Sequence, residues 1–231
     1  MKTTPNEPVR SRCDGRATRW PASARPRAVV GIVAGLAAFT ATAALAFNHV
    51  GGAGSAGLGP EGVAVPNGGV LASPSPIVPG TTIDGVQCQR GEQVALHIHA
   101  HLTIFVHGKA RQIPAGIGIG PPRQVAATPR GPFVVAGSCL DWLHTHAADG
   151  IIHTESPVDR IYTLGQFFDI WGNPLDREQV GPARGRVTAF LNGRVYSGNP
   201  RRIPLLPHEQ IQLDVGKPLT PPARITFPTG L

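Results

Sequence analysis

The chain has 231 residues, of which 41% are hydrophobic and 15% charged, the balance of a folded protein with a real core rather than of a disordered one. Its formal net charge of +7 would suit a nucleic-acid binder, but residues 1–27 hold seven Lys/Arg against Glu7 and Asp14 and so carry +5 of it. The rest is nearly neutral and shows no Lys/Arg run interleaved with aromatics, which sets nucleic acid aside as a partner.

After this basic tail, residues 28–47 form an uncharged run of twenty, which at about 1.5 Å per helical residue spans roughly the 30 Å of a bilayer core. A single transmembrane helix is predicted. Lys and Arg precede it and none follows until Arg90, so the positive-inside rule puts the tail in the cytoplasm and everything after residue 47 outside. Ala44-Leu45-Ala46 also fits a signal-peptide cleavage site, and cleavage after Ala46 would release a secreted domain. The apolar core exceeds the usual stretch of about 7–15 residues, which favours a signal anchor.

Residues 48–80 are rich in Gly and Pro and poor in apolar bulk, a composition expected to stay a flexible linker. The extracytoplasmic domain is expected over 81–231, long enough to bury its own core. Its strands are legible. Val94 to Val106 alternates apolar and polar residues with period two, the pattern of a strand with one buried face. His107-Gly108-Lys109 then turns the chain. Val187–Leu191, Asn192-Gly193 and Arg194–Tyr196 predict a tight hairpin, and Gln210–Val215 predicts another strand. One helix is expected from Thr163 to Trp171, with Thr163 as N-cap, Leu164, Phe167, Phe168 and Trp171 on one stripe, and Gly172 and Pro174 as stop. Short strands between many Gly and Pro predict a mostly β domain, an antiparallel sandwich or barrel with one short helix.

The three cysteines divide by compartment. Cys13 falls in the cytoplasmic tail, whereas Cys88 and Cys139 fall outside, where an oxidising environment favours a disulfide between them. It would close a loop of about fifty residues and add about 3–4 kcal/mol on the chain-entropy model. Free thiols, or a Cys as metal ligand, are the alternatives.

Six of the nine histidines sit in two short segments, His97-Ile98-His99-Ala100-His101 and His144-Thr145-His146 with His153. Residues i and i+2 of a strand lie on one face about 6.5–7 Å apart, so two imidazoles can reach one ion. His97 and His101 are roughly 13 Å apart, so at most two of the first three are expected on one metal. Asp149-Gly150 is a hairpin turn signal. In a two-residue hairpin the paired residue numbers sum to 299, setting His146 against His153 and His144 against Glu155 on one face. A slip by one residue would dissolve that packet. The isolated His49, His107 and His208 are expected to be solvated or hydrogen-bonded side chains.

Imidazoles with an acidic neighbour suit Zn(II) or Cu(II), then Ni(II) or Fe(II), whereas a single methionine, Met1, leaves soft copper(I) chemistry without ligands. The expected ligands are drawn from His97, His99, His101, His144, His146 and His153. In an enzyme with three His ligands and an open position, Glu155 or Asp141 would be base or supporting carboxylate.

Gly91-x5-His97-x-His99 resembles the opening of the cupin signature without its following glutamate, and Gly108-x5-Pro114-x-Gly116 its second motif with Ile119 in place of the His. The His-x-His strand is similar to the zinc strand of α-type carbonic anhydrases. More specific is Trp142-Leu143-His144-Thr145-His146 with Gly150-Ile151-Ile152-His153-Thr154-Glu155-Ser156-Pro157, His97-x-His99-x-His101 and Ile113-Pro114-Ala115. This set resembles a group of exported, membrane-anchored bacterial and archaeal proteins, and the resemblance implies export and anchoring but no activity. Three functions follow: a membrane-tethered metal-binding domain for handling or sensing, a metal-dependent hydrolase or lyase on the same ligands, or a metal-free envelope interaction module with contacts at Phe133–Val135 and Phe167–Trp171.

Overall fold

The computed structural model describes residues 55–231. The basic tail and the apolar run 28–47 lie outside the described residues. No described helix is long and apolar enough to cross a membrane.

The described chain is mostly β with one α-helix. Its centre is a seven-stranded sheet. Strands β1 (Ser55–Leu58) and β2 (Ala64–Pro66) form a small hairpin, and β3 (Val86–Gln89) precedes the long β4 (Leu96–Val106). β4 turns at His107-Gly108 into β5 (Lys109–Arg111), with Val106 opposite Lys109. A second hairpin joins β6 (Gln124–Thr128) to β7 (Gly131–Ala136). β8 (Leu140–Asp141), β9 (Leu143–His144) and β10 (Ile151–Ser156) follow, then α1 (Leu164–Trp171), the hairpin β11 (Val187–Leu191) and β12 (Arg194–Tyr196), and β13 (Gln210–Val215). The sheet runs β9-β10-β4-β13-β11-β12, with β5 also on β4.

The expected all-antiparallel pairing needs one correction. β4 and β13 are parallel, Leu102 beside Ile211 and Ile104 beside Leu213. Parallel neighbours need a long crossover, and the hundred or so residues between them, including α1, provide it.

Alternate residues of β4 divide the molecule. Ala100, Leu102 and Ile104, with Ile152 of β10 and Ile211, Leu213 and Val215 of β13, form one apolar cluster with Phe167, Phe168 and Trp171 of α1. The helix forms as its sequence predicts. Thr163 and Gln166 make a reciprocal capping box, and Gly172 closes the C-terminus in the left-handed conformation. Its aromatics are buried in this core, so Phe167–Trp171 is no contact surface, because a stripe of large apolar side chains is worth more inside. The Asn192-Gly193 hairpin also forms in the predicted register, Leu191 opposite Arg194. Cys88 and Cys139 form a disulfide, beside the β3–β8 pairing of Cys88 with Asp141.

The stretch expected to be a flexible linker up to residue 80 is structured over its described part. Val63 and Ile77 are buried, and Gln112 Nε2 donates to Pro66 O at 2.8 Å. Gly68 lies so close to β5 that a Cβ there would overlap Ala110 O. Gly68 therefore serves backbone packing, a role that composition does not distinguish from flexibility.

Candidate metal centre

The polar face of the sheet assembles the histidines by register. On β4 and β10, His99 is opposite His153 and His97 opposite Glu155. β9 adds His144 opposite His153. One row across three strands thus reads His99, His153, His144, and the next holds His97 and Glu155.

Asp149-Gly150 does not close a two-residue hairpin. The β9–β10 pairs sum to 297, two residues from the expected register, and residues 145–150 form a six-residue loop. The reason is competition from β4. His101 Nε2 donates to Asp149 O at 2.9 Å, and Leu102 N donates to Gly150 O at 2.9 Å. Gly150 has φ of 90°, and a Cβ there would stand 2.4 Å from Leu102 O. An even shift preserves side-chain parity, so the packet survives with different partners.

The loop sends His146 back onto the face. Thr145 Oγ1 donates to Pro114 O and accepts from Ile117 N. Val134 N of β7 donates to His146 O, and His146 Nδ1 donates to Val134 O. Phe133 stacks on the imidazole at 4.8 Å and 15°.

Two overlapping groups of ligand atoms result, each within 4.8 Å: His144, His146, His153 and Glu155, all buried, and His97, His99 and His153. This arrangement can hold a metal ion. His144 Nδ1 bonds Asp141 O at 2.7 Å, and His146 Nδ1 bonds Val134 O. Carbonyls only accept, so both Nδ1 atoms carry the proton. Burial pushes His144 down to about 3 and lowers His146 as well, so both rings are neutral. Their Nε2 lone pairs then face each other at 3.1 Å with no hydrogen between them. A tetrahedral cation with bonds of about 2.0–2.1 Å has ligand separations close to this. Glu155 adds a carboxylate whose Oε1 lies 3.4 Å from His153 Nδ1 and 3.8 Å from His144 Nε2, while its buried Oε2 has no partner.

His153 is the centre of the network. Its Nε2 lies 2.6 Å from Glu61 Oε1, and its Nδ1 faces His99 Nε2 at 3.2 Å. Burial alone would lower its pKa, but Glu155 and Glu61 raise it to about 9. Burial would likewise raise Glu155, but His153, His144 and His97 hold it down near 2. His99 is lowered to about 4 by burial and by His153 and His97. A carboxylate on the far nitrogen of an imidazole fixes its tautomer and strengthens it as a ligand.

Three expectations change here. His101, expected among the ligands, joins neither group: its Nε2 is held by Asp149 O and its Nδ1 lies 3.4 Å from Thr103 Oγ1. Asp141, expected as a base, lends only its backbone carbonyl to His144, and its buried carboxyl has no partner and is pushed up to about 8 by burial. Glu61 was missed. It lies in the turn between β1 and β2, and the signal for it was that no other charged residue stands between Arg27 and Asp84. His97 is the exposed member, its side chain 44% accessible, beside a cavity of about 270 Å³ lined by His99, Pro207 and His208. His208 itself bonds Leu231 O and stacks on Phe227.

No protein-family model, curated protein or solved structure matches this chain.

Proposed function

We propose that the protein is a membrane-tethered, extracytoplasmic domain that binds a transition metal ion for metal handling or sensing. The observation that carries this reading is the His144–His146 confrontation, two neutral imidazoles held with lone pairs 3.1 Å apart by carbonyls on their other nitrogens. Leaving two acceptors face to face in a buried site is costly, and a cation between them removes the cost. His144, His146, His153 and Glu155 are the ligands, with Zn(II) or Cu(II) the best matched ions and Ni(II) or Fe(II) next. The Cys88–Cys139 disulfide supports export, since a reducing cytosol does not maintain such a bond. The uncharged run 28–47 behind a basic tail supports the tether.

Holding metal is favoured over hydrolysis. All four ligands are buried, as in closed sites that retain an ion. Neither carboxylate is placed to act as a base: Glu155 is turned onto His97, His144 and His153, and Asp141 lies outside the cluster.

The test is elemental analysis of the full chain, purified in detergent without a histidine tag after exposure to Zn(II) or Cu(II). Stoichiometric metal, reduced in His144→Ala/His146→Ala with the fold retained by circular dichroism, supports the reading. Folded protein that stays metal-free in excess Zn(II) and Cu(II) overturns it.

A further inference from the structure

We infer that the centre takes two metal ions, bridged by Glu155, and this rests on the metal-binding reading above. The ligand atoms outnumber what one tetrahedral ion can use. His144 Nε2 and His146 Nε2 converge at 3.1 Å, and His99 Nε2 and His153 Nδ1 converge at 3.2 Å. These are two separate pairs, each at the edge length of one tetrahedral ion. His153 belongs to both ligand groups, yet its Nε2 is engaged by Glu61, so only Nδ1 is available and it serves one ion at a time. With two ions bound the six ligands therefore divide three and three: His144, His146 and Glu155 around an inner ion, and His97, His99 and His153, which completes the inner set when that ion is alone, around an outer one, with Glu155 reaching both.

Glu155 is placed for that role. Its Oε1 lies 3.4 Å from His97 Nε2, 3.4 Å from His153 Nδ1 and 3.8 Å from His144 Nε2, between the outer and inner sets. Its Oε2, on a side chain 3% exposed, has no hydrogen-bond partner. A carboxylate can bridge two cations through its two oxygens, and Oε2 is left free to do so. Glu61, bonded through the His153 ring, adds a second negative charge that offsets the repulsion between the ions. The inner ligands are closed off, whereas His97 is 44% exposed beside the cavity of about 270 Å³. The outer ion is thus the one that meets solvent, and the one with room for an exogenous ligand such as water or a small anion.

Co(II) is a suitable probe because its visible absorption reports tetrahedral binding and its spin couples to a second Co(II) across a bridging carboxylate. The full chain in detergent is expected to take up two equivalents of Co(II) by equilibrium dialysis. The electron paramagnetic signal of the first equivalent should diminish as the second enters. His97→Ala/His99→Ala should retain one equivalent, uncoupled, and so should His144→Ala/His146→Ala. His97→Asn/His99→Asn repeats the first test if the alanine pair does not fold. A wild-type capacity of one equivalent, abolished by His144→Ala/His146→Ala, overturns the two-ion centre and leaves the single site standing. So does a capacity of two that His97→Ala/His99→Ala leaves unchanged, or two ions without spin coupling. No uptake at all overturns both readings.

Discussion

The two faces of β4 are built from one strand and do opposite things. Ala100, Leu102 and Ile104 point into a core shared with the α1 aromatics, where each buried side chain contributes about 1.5–3 kcal/mol. His97, His99 and His101, their direct neighbours in sequence, point to a face where burial lowers His99 and His101 to about 4 and leaves carboxylate oxygens unpartnered. The first face stabilises the fold. The second works against it, since buried polar groups cost free energy unless something satisfies them. The difference separates what the protein needs in order to fold from what it folds to present.

Trp171→Ala should break the apolar face alone. Trp171 is fully buried in the main core, and its truncation is expected to cost about 3–5 kcal/mol by denaturant unfolding. Metal capacity per folded molecule should stay at the wild-type value, and a proportional loss of capacity would show that the faces are not separable.

Glu61→Gln should act on the other face. It keeps the shape of the contact to His153 Nε2 but removes the charge behind that ligand. Metal affinity, measured by competition with a chromogenic chelator, is expected to fall roughly 10–100-fold, about 1.4–2.7 kcal/mol, with little change in unfolding midpoint. An equal loss of stability would make Glu61 a structural residue only.

The smallest effect, taken per pH unit, is a slope with pH. His153 is raised to about 9, so below that pH it carries a proton on the nitrogen the metal needs. His99 and His144 lie near 4 and 3 and are already neutral. Between pH 5 and 8, coordination by His153 therefore releases a proton, and this group alone should make affinity rise about tenfold, roughly 1.4 kcal/mol, per pH unit. A flat profile in calorimetry or dialysis would place His153 outside the ligand set.

Much of the fold was legible because its signals are local. The Thr163–Gln166 capping box, the Gly172 stop and the Asn192-Gly193 turn depend on residues within a few positions of one another. The six histidines announced a cluster for the same reason, and strand parity placed His144, His153 and Glu155 on one face even though the β9–β10 register differs by two, whereas the 145–150 loop returned His146 to it. The register itself was not legible. His101 and Leu102, nearly fifty residues away, compete for the backbone of Asp149-Gly150, and a local turn preference is too weak to prevail over a sheet.

The amino-acid sequence by itself thus determined which side chains are available, which positions alternate, where the helix starts and stops, and that Cys88 and Cys139 can pair. Tertiary structure alone decided the parallel β4–β13 pairing, the exclusion of His101 and Asp141 from the cluster, and the arrival of Glu61 at His153 from a glycine-rich turn 92 residues away. Periodicity and capping are short-range properties of the chain, whereas a ligand set is a property of which distant segments share buried space.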